Sequence, residues 1–150
     1  DNEIAFKINR MSGAPVVYRP EARLLHDHRM EPREYLTREY NLGYCAPGFA
    51  GKSPQCARDL FGRDILDNAE AAYSREFVQR ERTGSARALR SFESLAEMPA
   101  SVVDGPSQDR LLALAYQSHL PLKRWVWRRG LVDAVAGVEM NADRALGELV

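Results

Sequence analysis

From residue 53 to the carboxyl terminus, apolar positions recur at three- and four-residue spacing, the period that lines side chains along one face of an α-helix. Ser53 before Pro54 is an N-cap with proline at the first helical position, where the missing N–H costs nothing. A helix is expected from there, carrying Phe61, Ile65, Ala69, Tyr73 and Phe77 at every fourth position. Thr83-Gly84-Ser85 reads as a stop and a new cap, followed by Ala88, Leu89, Phe92, Leu95 and Ala96 and closed by Pro99. The turn Asp104-Gly105-Pro106-Ser107 precedes a third stripe of Leu111, Leu112, Ala115, Tyr116 and His119. Pro121 opens a fourth, with Leu122, Trp125, Val126, Val132, Val135 and Ala136, a break near Gly130 and a further cap at Asn141.

Residues 1–52 lack that period. Strand-like content is confined to residues 4–8 (Ile4 to Ile8) and 15–19 (Pro15 to Arg19), with the turn-prone Ser12-Gly13 between them and room for a small β-hairpin. Residues 20–44 alternate Arg with Glu and Asp, are rich in Tyr, and show weak apolar periodicity, although pieces such as Glu34 to Tyr40 could form a short helix. The expected architecture is therefore mainly α. A bundle of four to five helices occupies residues 53–150, and an irregular amino-terminal arm covers residues 1–52.

Composition supports a folded domain, since 45% of the 150 residues are apolar and 28% charged. Twenty-one basic residues balance twenty-one acidic ones, so no long-range field draws the molecule toward nucleic acid or anionic lipid. Nucleic acid is accordingly not an expected partner. No apolar run approaches the roughly 20 residues of a transmembrane helix, and a soluble chain is expected. Cys45 and Cys56 enclose a Gly- and Pro-containing segment short enough to let them meet. A bridge there would contribute about 3 kcal/mol by limiting the unfolded chain. The alternative is two reduced thiols. A bridge would suit a secreted, periplasmic or organellar protein and free thiols a cytoplasmic one.

Three segments carry candidate chemistry. The first, Ala46-Pro47-Gly48-Phe49-Ala50-Gly51-Lys52-Ser53, resembles the relaxed signature of the P-loop family with Ala in place of the first Gly. That resemblance implies phosphate held by Gly51 and Lys52 and Mg²⁺ held by Ser53, with Asp104 of Ser101-Val102-Val103-Asp104 near the metal. Against it, the preceding Thr37-Arg38-Glu39-Tyr40-Asn41 is too polar for a buried parallel strand, and Pro54 removes an amide where phosphate would be bound. The second, His26-Asp27-His28, would place two imidazoles on one side of an extended strand, a start toward a metal site that needs Glu31, Glu34 or His119 as a third ligand. The alternative for all three histidines is structural, with His119 a helix-end cation or a satisfied half-buried side chain.

The third, Lys123-Arg124-Trp125-Val126-Trp127-Arg128-Arg129, sets four positive charges and two indoles together without an acid. In one helix from Pro121 to Val150, the first ten residues carry net +4, and the remainder net −3, with Arg144 against Asp133, Glu139, Asp143 and Glu148. This opposes the helix dipole, by about 0.3–1 kcal/mol per charge. Compensation is expected from acids of this chain, from an acidic partner, or from a break at Gly130. No nucleophile elbow, zinc-site array or dinucleotide fingerprint is present, and no cofactor is expected. The primary expectation is a non-enzymatic interaction or assembly subunit that binds another protein or a second copy of itself. Its expected contact residues are Trp125, Trp127, Arg128, Arg129, Tyr35 and Tyr40, types favoured at interfaces. The alternatives are a nucleotide-binding enzyme using Gly51, Lys52, Ser53 and Asp104, and a secreted metal-dependent enzyme using His26 and His28.

Overall fold

A computed structural model describes residues 2–13, 17, 31–98 and 105–150. The protein is mainly α. Its described helices are α1 (Asn2–Ser12), α2 (Pro32–Lys52), α3 (Pro54–Phe61), α4 (Asn68–Arg80), α5 (Arg82–Ala96), α6 (Gly105–Val135) and α7 (Ala142–Gly147), and no strand occurs among the described residues. The long α6 is the axis of the fold. Helices α2, α4 and α5 pack along it, and α7 folds back against α2 and α6.

Local signals explain most boundaries. Pro32 occupies the first turn of α2, where Glu31 and Glu34 close a capping box. Pro54 starts α3, and Gly62 ends it in the left-handed conformation at φ 67°. The Asp67 carboxylate caps α4 by accepting from the Ala69 N–H at 3.1 Å, and Asn141 caps α7 by accepting from the Arg144 N–H at 2.8 Å.

The amino-terminal third differs most from expectation. Ile4 to Ile8 lie within helix α1 rather than a strand; of its expected partner, residues 15–19, only Val17 is described, and without regular structure. Residues 32–52, expected to be irregular, form the 21-residue helix α2. Its buried positions are Leu36, Glu39, Tyr40, Gly43, Ala46 and Ala50, a helical period written largely in polar and small residues. Leu36 and Tyr40 share one core with Val78, Leu89, Leu122, Trp125, Val126 and the α7 residues Ala145 and Leu146. A smaller cluster joins Ala46 and Ala50 to Ala57 and Ile65.

Two glycines let α2 and α6 approach until their backbones touch. A Cβ on Gly43 would overlap the Trp127 carbonyl, and one on Gly130 would overlap the Tyr40 carbonyl and stand 2.8 Å from the Tyr44 nitrogen. Gly130 is therefore a contact and not a break, and α6 runs through it to Val135. Pro121 likewise lies inside α6 rather than opening a helix. It is exposed, as is Gln117, so the carbonyl deprived of its donor lies on the solvent side of the helix.

Two further expectations are corrected. The Phe61-to-Phe77 stripe is split between α3 and α4, because Gly62 stops one helix and Asp67 caps the next. Thr83-Gly84-Ser85 falls inside α5, which begins almost where α4 ends, with Ser85 buried.

Cys45 and Cys56 are not bridged: both thiols are free, Cys45 exposed on α2 and Cys56 buried on α3. In native protein without reductant, a thiol reagent should label Cys45 rapidly and Cys56 only on unfolding. A count of reactive thiols in denaturant that rises after reduction would contradict the free pair.

Candidate interaction cleft

Of the six residues expected as contacts, Tyr35 lines the cleft described below, and the other five have partners within the chain. Trp125 is fully buried, and its indole N–H donates to the Val78 carbonyl at 2.8 Å. Trp127 is half-buried, with its ring centroid 5.6 Å from that of Phe61. Arg128 donates to Glu70 Oε1 and Ser74 Oγ, each at 2.6 Å, and lies 4.5 Å over the Tyr73 ring. Arg129 reaches Asp133 at 3.2 Å and Glu148 at 2.9 Å, while Lys123 stands 3.7 Å from Glu39. Acids of this chain thus pair with Lys123, Arg128 and Arg129, and because α6 begins at Gly105 these residues do not stand at a helix start, so the expected conflict with the dipole does not arise. Tyr40 is fully buried and donates to Asp133 at 2.8 Å.

The other candidate residues do not converge. Gly51 and Lys52 end helix α2, so the segment that resembles a phosphate-binding loop is wound as helix and its amides are committed to helical hydrogen bonding. Ser53 links α2 to α3. Asp104, His26 and His28 lie outside the described residues. Among the described residues no group of three or more His, Cys, Asp or Glu side chains could hold a metal ion, and no helix is long and apolar enough to cross a membrane.

A different set of residues forms a cleft of about 520 Å³ where the start of α2, the end of α5 and the middle of α6 meet. Glu31, Pro32, Tyr35, Phe92, Ala96 and His119 line it. His119 is its centre, with ring centroids of Tyr35, Tyr116 and Phe92 at 5.5, 5.4 and 6.4 Å. Its Nδ1 lies 3.2 Å from the Tyr116 carbonyl, which can only accept, so that nitrogen carries the proton. In the neutral ring Nε2 then accepts from the Tyr35 hydroxyl at 3.0 Å. Burial, followed by the charge of Glu39, pushes the Tyr35 phenol up to about 12, which keeps it a donor across the ordinary pH range.

Sequence patterning identifies Phe92, Ala96 and His119 only as parts of helical stripes. Nothing local joins them to Tyr35, because the Tyr35–His119 hydrogen bond spans 84 residues. The one local signal is the capping pair Glu31 and Glu34, which marks the helix start on which Tyr35 sits one turn along.

The cleft continues into exposed apolar surface. Leu122 is the first fully buried residue of α6; between Gly105 and Pro121 none of the described side chains is. Leu112, Leu114 and Tyr116 are 61%, 50% and 62% exposed there, and Tyr116 joins this surface to the cleft through its contact with His119. The chain matches no protein-family model, no curated protein and no solved structure.

Proposed function

We propose that this protein is a non-enzymatic interaction or assembly subunit, docking through the first half of α6 and the adjoining cleft. The observation that carries this reading is the contrast within α6. Residues 122–133 bury Leu122, Trp125, Val126, Leu131 and Asp133, whereas the part of α6 that precedes them turns Leu112, Leu114 and Tyr116 to solvent. Leu112 and Tyr116, one turn apart, share a face of α6, and exposed apolar groups placed together in this way are the usual composition of a protein-binding face. The proposed contact surface thus differs from one built on Trp127 and Arg128, whose side chains have partners within the chain.

Chemistry at the cleft favours binding over catalysis. Both His119 nitrogens are engaged, so the imidazole presents no free lone pair to a substrate. The cleft instead offers ring faces and a carboxylate at its edge.

The test is the native mass of the protein isolated from its own cells, compared with a Leu112→Glu/Tyr116→Glu variant. Wild type is expected in a complex heavier than the chain, and the variant at the mass of the chain alone with unchanged helicity. A wild-type protein found only at the mass of the chain, or a variant complex of undiminished yield, would refute the reading.

A further inference from the structure

We infer that the cleft between α2, α5 and α6 receives a guanidinium group, the end of an arginine side chain presented by the partner protein. The inference rests on the interaction reading and adds the chemistry of what is bound. Three observations support it, each on its own grounds.

The walls are aromatic. Three rings, those of Tyr35, Phe92 and His119, line the cleft, and Tyr116 stands beside His119. Aromatic faces carry partial negative charge and attract cations placed over them. Arg128 over Tyr73 shows the same contact within this protein.

The lining carries a carboxylate. Among the described residues that line the cleft, Glu31 is the only Asp, Glu, Lys or Arg. Behind Tyr35 lies the 5%-exposed Glu39, paired with Lys123 of α6 at 3.7 Å; its charge acts on the Tyr35 phenol more strongly than that of Arg38, which acts in the opposite sense. The positive end of α2 also opens here, but the carboxylates of Glu31 and Glu34 already answer it through the capping box. What remains is an acidic edge around apolar rings.

The shape suits a flat, weakly hydrated cation. A guanidinium stacks on rings and gives up its water more readily than an ammonium does, so arginine gains more than lysine from walls of this kind. A space of about 520 Å³ holds the whole side chain, methylene stem included.

The probe is N-acetylarginine amide, titrated into the full chain while the ring signals of Tyr35, Phe92 and His119 are followed by NMR. N-acetylcitrulline amide has the same shape without the charge. Saturable shifts confined to these rings are expected for arginine at millimolar concentration, with citrulline at least about fivefold weaker. Glu31→Gln should lower the arginine affinity severalfold and leave citrulline unaffected, while the loss of the capping carboxylate lowers the unfolding temperature by no more than a few degrees. Equal affinity for the two probes, shifts elsewhere on the molecule, or no saturation would overturn the inference. Because the probe needs no partner, arginine binding by a protein that forms no complex would sink the interaction reading alone. A complex that requires Leu112 and Tyr116 in a protein indifferent to arginine would sink this inference alone.

Discussion

Replacing Gly130 with alanine should lower the unfolding temperature by at least about 6 °C, corresponding to roughly 3 kcal/mol for a domain of this size. In an exposed helix the same exchange stabilises by about 0.5–1 kcal/mol, because alanine loses less backbone freedom than glycine. The sign is reversed here by contact. The new methyl would overlap the Tyr40 carbonyl, and a main-chain atom inside a packed helix cannot turn aside as a side chain would. Gly43→Ala should behave alike, since its methyl would meet the Trp127 carbonyl from the opposite direction. Gly48 and Gly84 supply the control, both being helical with open space where a Cβ would sit. Calorimetry of the four variants should show two losses and two small gains. Uniform small gains would mean that the helices do not touch at these positions.

Asp133→Ala should cost about 3–5 kcal/mol, the usual consequence of removing one partner from a buried charged network. Its carboxylate is almost wholly buried and accepts from Tyr40 at 2.8 Å and from Arg129 and Arg144 at 3.2 Å each. Arg129 also holds Glu148 at 2.9 Å, and the Tyr40 oxygen accepts from the Asn141 N–H at 3.3 Å. The network therefore ties α2, α6 and the turn before α7 together. Removal leaves the Tyr40 phenol and the Arg129 guanidinium short of an acceptor where water enters poorly, while Arg144, 42% exposed, can turn to water and to the Glu139 carbonyl.

Tyr40→Phe should cost less, about 1–2 kcal/mol, and the double variant less than the sum of the two. Urea midpoints with an unchanged slope would report this directly. Strict additivity would show that Tyr40 and Asp133 act separately. Burial, more than any neighbour, pushes the Tyr40 phenol up. The folded protein thus favours the neutral form, so this contribution is complete below about pH 10 and declines as the pH rises through the folded value.

The helical character of the chain was legible where apolar residues mark the period. Leu89 and Phe92, or Leu122, Trp125 and Val126, repeat as a buried helix face must, and Asn141 announces a cap that is present. α2 escaped this reading because its inward face holds Glu39, Tyr40 and Gly43. Such residues become core only when Lys123, Asp133 and the Trp127 backbone arrive from far along the chain to meet them. The cleft was illegible for the same reason: Tyr35, Phe92 and His119 come from three separate helices.

Proline and glycine misled in the opposite sense. Pro121 and Gly130 carry strong local preferences for ending a helix, worth about 3 and 1 kcal/mol. Packing along α6 outweighs them, and at Gly130 the missing side chain is what makes the packing possible. Trp125, Arg128 and Arg129 had the composition of a contact surface, yet Val78, Glu70, Asp133 and Glu148 occupy them from within.

Local preference and period, properties of neighbouring residues, were enough to set the class of structure and several helix ends. Which polar residues are buried, which proline is tolerated and which aromatic rings share a cleft depended on partners dozens of residues away. A buried polar group is stable only beside its complement, and that complement is supplied by the assembled helices and not by the adjoining sequence.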